Sequence, residues 1–286
     1  VCVLMCVVLL SAGFLAQYAV AGGIENKQNL SARYLATMSR NAATDGADIA
    51  AYNPAGIMFQ DDGGQMEFDV QYLSKIYENR YTSNLNGHIF NDQTEPSAVP
   101  SFFATYKQDF WGLFGAFTIN GGGGLVDYTS GNALTNSIET SLRGVYGGLA
   151  NFQHQEITAD TYYLTFTAGP TIKFADSFSI ALGGRYISAE KNIDAYAVTA
   201  GIGELRGKYT EEATGYGWVI SANFMPTDSL NLSVRYESEV ALEFKTEIDG
   251  ATNALGTAVL AGFSKTNGGI YDRDLPALLG AGLLFK

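Results

Sequence analysis

Apolar and polar residues alternate along most of the chain after residue 63. In QMEFDVQY (65–72), Met66, Phe68, Val70 and Tyr72 share one side of an extended strand. Gln65, Glu67, Asp69 and Gln71 take the other. This period of two is the mark of a β-strand with two unlike faces. Phe102, Ala104 and Tyr106 alternate with Phe103, Thr105 and Lys107, and Leu113, Phe117 and Ile119 with Phe114, Thr118 and Asn120. Similar runs cover 162–167, 178–186, 218–224 and 230–237, and LPALLGAGLLFK (275–286) closes the series. About eight strands are therefore expected.

The connections sharpen this reading. Short turns are expected at 107–111, 175–177 and 226–229. Long polar stretches separate them, at 78–99, 121–160, 189–216 and 247–274, and these read as loops. Short and long connections alternate, as in outer-membrane β-barrels with their short periplasmic turns and long extracellular loops. Aromatic residues near the expected strand ends (Tyr72, Tyr106, Phe110, Trp111, Tyr236) fit interfacial girdles. The fold class expected is all-β, an antiparallel transmembrane β-barrel.

Composition agrees. Charged residues make up 16% of the 286 positions, against about 25% in a soluble domain. The net charge of −12 excludes a basic footprint for nucleic acid. The opening 21 residues are apolar and uncharged and end on Ala19-Val20-Ala21, a small-x-small exit typical of a secretory leader. Residues 1–21 are read as a signal peptide, with Gly22 as the first mature residue. The absence of an initiator Met and of a basic start leads to the expectation of further residues upstream. Cys2 and Cys6 both fall in the leader, so the mature chain has no disulfide and no thiolate metal site.

Between leader and strands, 22–62 has a different character. NLSARYLATMSRNAA (29–43) predicts a short helix with Asn29 or Ser31 as N-cap and an apolar stripe of Leu30, Tyr34, Leu35 and Met38. In front of a barrel such a segment reads as a plug. It ends on Tyr52-Asn53-Pro54-Ala55-Gly56, expected to be a rigid turn: Pro54 fixes φ, Asn53 caps its own backbone and Gly56 permits a left-handed exit.

Here the sequence resembles the FadL family of outer-membrane transporters for long-chain fatty acids and other hydrophobic compounds. The resemblance rests on DGADIAAYNPAGI with Asn53, Pro54 and Ala55, and on GYGWVISANFMPTDSLNLSVRYESEV with Tyr236-Glu237-Ser238. Asp274-Leu275-Pro276 ahead of the last strand is the third element, and together they span nearly all of 22–286. It implies a fourteen-stranded barrel plugged by an N-terminal hatch, here 22–62. The chain supplies the first eight strands in 63–286 and is expected to be incomplete at the C-terminus, so the sheet should not close on itself. The resemblance also implies an inward kink in the third strand, beside the hatch, through which substrate leaves sideways into the outer leaflet.

Gly121, Gly122, Gly123 and Gly124 stand at the far end of that third strand. As a lateral gate they would let the backbone bend away from its ladder; otherwise they begin a flexible loop. The gate reading expects Val at Gly122 and Gly123 to leave folding largely intact while closing the exit. Family members carry a Pro-Phe-Gly-like element near this point where this chain has glycines. Asn53–Gly56 is expected beside the third strand. Phe103 and Phe114 fall on the inner face, either lining a greasy ligand path or packing on the hatch.

The expected function is passive passage of a hydrophobic small molecule (fatty acid, alkane or aromatic hydrocarbon) across the outer membrane. The chain is read as a monomer in contact with outer-membrane lipid, with no catalytic residue, metal, cofactor or nucleic-acid partner. A general porin for polar solutes is the alternative, set against by the hatch and the apolar inner positions. A lipid-acting barrel enzyme is weaker: His88 and His154 lie in expected loops, without a serine-nucleophile motif. The glycine run is no P-loop, since it lacks the Lys-Ser/Thr and precedes no helix.

Overall fold

The computed structural model describes residues 27–81, 88–122 and 124–285. The leader, Gly22 and Gly123 lie outside them. Eight antiparallel strands form the wall: β1 (Gly63–Leu73), β4 (Ser97–Gln108), β5 (Trp111–Gly121), β7 (Phe152–Ala175), β8 (Phe178–Thr199), β9 (Glu204–Thr227), β10 (Leu230–Glu237) and β13 (Leu278–Phe285), paired in that order. Shorter strands decorate it: β2 (Glu78–Tyr81) pairs with β3 (His88–Asn91), β6 (Val126–Tyr128) with β7, and β11 (Glu243–Ile248) with β9 and β12 (Ile270–Asp272). β1 and β13 are not paired with each other, so the sheet does not close. Among the described residues no helix is long and apolar enough to cross a membrane.

The two faces separate as the alternation demands, with the polar side turned in. Phe68, Val70, Phe166, Leu182, Trp218 and Ile220 are exposed. Thr105, Thr165, Ser179, Ser221, Asn223 and Asn231 are buried on the opposite face. Four directly opposed rings cross the outer face in one row. Phe117 meets Phe166 at 4.9 Å, Phe166 meets Tyr186 at 6.3 Å and Tyr186 meets Tyr216 at 5.2 Å between centroids. From this row to the turn at 176–177 the outer positions are apolar over about ten residues, the length with which a tilted strand spans a bilayer core.

Beyond the row the outer face turns polar through Asp160, Glu190, Asn192 and Glu212. This explains a difference from the sequence reading. The stretch 189–216 is no loop: β8 and β9 continue as one hairpin and turn only at 200–203. β7 likewise begins at Phe152, inside the expected loop 121–160. Polarity marks where the apolar band of the outer face ends, not where the hydrogen-bonded ladder ends. The rest of the long connections carry β2, β3, β6, β11, β12 and two helices, α3 (Ala133–Tyr146) and α4 (Ala254–Gly262). His88 and His154 accordingly stand on β3 and β7, not in loops.

Residues 27–62 pack on the inward, polar face. They contain α1 (Ala32–Thr37), α2 (Ile49–Tyr52) and a 3-10 turn, Pro54–Phe59. Ser31 is the N-cap of α1, accepting from the Tyr34 N–H, and Met38 ends the helix with φ 57°. The helix is shorter than expected and only half of its stripe is covered: Leu30 is buried and Tyr34 packs on Tyr52, while Leu35 and Met38 are exposed. An ionic core holds the segment instead. Arg40 donates from Nε and Nη2 to the two Asp48 carboxylate oxygens at 2.9 and 2.7 Å, and Ser31 Oγ donates to Asp48 at 2.8 Å. Ser31→Ala removes both the cap and this bond and is expected to cost about 1–2 kcal/mol, read from urea unfolding in detergent.

Candidate functional site

The Asn53-Pro54-Ala55-Gly56 motif fastens the plug to the wall. Pro54 starts the 3-10 turn, where a missing N–H costs nothing. The Asn53 side chain makes no cap of its own. Its Nδ2 donates to the Ala43 carbonyl at 2.9 Å and to Asn223 Oδ1 on β9 at 2.8 Å. Asn223 in turn donates to Asn231 on β10 at 2.7 Å, and Asn231 to the Ala42 carbonyl at 2.8 Å. Ser179 on β8 donates to the Ala55 carbonyl at 2.7 Å.

These bonds lie on the fifth to seventh strands of the wall. The third strand meets the plug through apolar contact: Phe114 and Ala116 share a cluster with Ile49, Tyr52, Ala55 and Ile57. Gly56 has no left-handed φ. It is needed for closeness, since an added Cβ would stand 2.8 Å from the Ala43 carbonyl oxygen and overlap the Asn53 amide. Phe103 and Phe114 are both buried in this cluster, beneath the plug.

The opposite side of the plug meets a break in the wall. β4 and β5 pair from Gln108–Trp111 as far as Phe102–Phe117 and then part. Beyond that point β4 continues against β1 alone, to Ser97. β5 continues against β7 alone, with a register shift between Ile119 and Gly121. Pro100 stands on the parting stretch of β4 and has no N–H to give to any neighbour. On the other flank Gly122 (φ +93°) and Gly124 (φ +68°) take conformations that side chains disfavour. Gly124 N–H donates to the Thr161 carbonyl at 3.1 Å, and β6 then resumes the ladder on Ile157–Ala159 of β7. The glycines thus bend the strand along β7 and away from β4.

The first described residues of the plug lie across the inner mouth of this break. Lys27 N–H donates to the Asn120 carbonyl at 2.6 Å, and Ser101 Oγ donates to the Leu30 carbonyl at 2.8 Å. Gln71 donates to the Asn29 carbonyl at 2.7 Å. A cavity of about 150 Å³ remains beside them, walled by Leu30, Leu73, Val99, Pro100 and Ile119 and edged by Lys27, Asn29, Gln71 and Ser101. Burial, together with the nearby Lys75 ammonium, holds Lys27 below the usual lysine range.

Leu30 also borders a second, much smaller space of about 10 Å³, deeper in, with Thr118, Asn120, Arg185 and Glu237. There Glu237 lies 2.9 Å from Arg185 and 3.2 Å from Arg235, all three buried. Leu30 thus borders both spaces. The sequence reading missed Lys27, Leu30, Gln71, Arg185 and Glu237 as parts of a site; besides the glycine run, Pro100 within β4 is a local cue to the break.

Neither a protein-family model nor a curated protein sequence matches the chain. Solved structures do. A FadL homologue from Pseudomonas aeruginosa superposes with a TM-score of 0.55 at 12% identity, covering 92% of this chain and 66% of that one. The toluene transporter TodX of P. putida gives 0.52 at 14% identity, covering 84% and 62%. A TodX deletion mutant described as a monoaromatic hydrocarbon channel gives 0.53 at 13% identity, over the same shares. The likeness shows that this chain has the FadL-type fold, and that it spans no more than 66% of the length of these structures.

Proposed function

We propose that the chain is the plug-bearing part of a passive outer-membrane channel for hydrophobic compounds, and that these leave sideways through the break between β4 and β5. In this reading 1–21 is a cleaved leader, 22–62 the hatch and 63–286 the first part of the barrel wall. The observation that carries it is the parting of two neighbouring strands beside a cavity walled largely by aliphatic side chains. A ladder broken at membrane depth leaves backbone groups that lipid cannot satisfy. Here the plug meets part of that demand through the Lys27 N–H, which donates to the Asn120 carbonyl of β5. The fold is one used by a transporter of toluene, which accords with an apolar cargo. Passage needs no catalytic group: displacement of Leu30 joins the inner space to the wall cavity.

Filling the cavity tests this. Val99→Trp replaces a small aliphatic wall by a ring system too large for the remaining space. Uptake of a radiolabelled hydrophobic probe by cells making the full-length protein is expected to fall at least tenfold, with outer-membrane abundance unchanged. Leu232→Trp, on the outward face of β10, should leave uptake intact. Equal uptake by both variants would remove the lateral route.

A further inference from the structure

We propose that the cavity between β4 and β5 is a binding site for a single-ring aromatic carrying an acidic substituent, held by the Lys27 ammonium; this rests on the release route proposed above. Two independent features point to this class. The first is size. A cavity of about 150 Å³ matches in volume one that takes up a benzene ring in another protein. Leu30, Leu73, Val99 and Ile119 give the ring an aliphatic bed.

The second feature is charge. Among the described residues no carboxylate pairs with Lys27, while Arg33, Arg40, Lys107, Arg185 and Arg235 each have one. The neighbouring amides and hydroxyl are neutral and supply no counter-charge. Gln71 and Asn29 are bonded to one another, and Ser101 is spent on the Leu30 carbonyl. Lys27 also lies half-buried beside a second cation, Lys75, which lowers its affinity for the proton. A carboxylate on the ring supplies the counter-charge at the edge of the bed, and ammonium–carboxylate hydrogen bonds are stronger than neutral ones. A neutral hydrocarbon of the same size would leave Lys27 as it is.

Isothermal titration of the full-length protein in detergent micelles, with benzoate and toluene as probes, separates the alternatives. Benzoate is expected to bind at least tenfold more tightly than toluene. Lys27→Met should weaken benzoate at least tenfold and leave toluene unchanged, and Lys27→Arg should restore most of the benzoate affinity. Toluene binding as tight as benzoate, or benzoate binding indifferent to Lys27→Met, overturns the inference. Such a result leaves the release route standing so long as Val99→Trp still blocks uptake. Intact uptake in Val99→Trp overturns the route itself.

Discussion

Gly122→Val is expected to destabilise the folded protein by about 2–5 kcal/mol and to reduce its abundance in the outer membrane several-fold. Two costs add. At φ +93° a residue with a Cβ pays about 1–2 kcal/mol for the left-handed backbone. The new Cβ would also overlap the Thr161 carbonyl and stand 2.8 Å from Tyr162 Cα. Both atoms belong to the backbone of β7 and can yield only by shifting the ladder, at about 1–3 kcal/mol. Gly184→Val is the control: it lies in a strand, without positive φ, and its Cβ meets nothing within 4 Å. The urea midpoint of each variant in detergent reads the difference. A Gly122→Val protein as stable as the Gly184→Val control would mean that the bend does not depend on glycine. The outcome expected here departs from the tolerance that strand propensity alone suggested, because the strand at this point is already folded onto its neighbour.

Asn53→Leu is expected to cost about 3–5 kcal/mol and to loosen the plug. The Asn53 amide joins the Ala43 carbonyl to Asn223, which continues to Asn231 and back to the Ala42 carbonyl. Leucine leaves the Ala43 carbonyl without the Asn53 donor, at about 1–3 kcal/mol, removes one of the two donors to Asn223 Oδ1, and forces a branched chain in where Gly56 already touches the amide, at about 1–3 kcal/mol more. Hydrogen exchange should show protection lost across 40–58 while the β7–β8 ladder keeps its own. Uniform protection in the variant would show that the asparagine chain is not what anchors the plug.

The wall was legible from the sequence because its signal is local. Met66, Phe68, Val70 and Tyr72 announce β1 by themselves, and Phe102–Lys107 and Leu230–Glu237 do the same for β4 and β10. The extension of β7, β8 and β9 was hidden because the outer face changes from apolar to polar at Tyr186 and Tyr216 while pairing continues. The plug's attachment was hidden for a different reason. Asn53 and Asn223 are 170 positions apart, and no periodicity links them. Small residues such as Ala42 and Gly56 hinted at close approach but not at which strand is approached. The glycine run marked the bend; the cavity's other walls come from β1, β4 and the plug, so only the folded chain brings Lys27, Gln71 and Pro100 together.

The route itself is best tested by covalent capture of a cargo in transit. Outer membranes containing the full-length protein are loaded with a diazirine-bearing alkylbenzene, irradiated, and the labelled positions are found by mass spectrometry of the digested protein. Lateral release predicts label on Leu73, Val99 and Ile119, around the break between β4 and β5. Label confined to the short turns at 109–110, 176–177 and 228–229, with none at the break, would contradict it and assign the passage to the barrel axis.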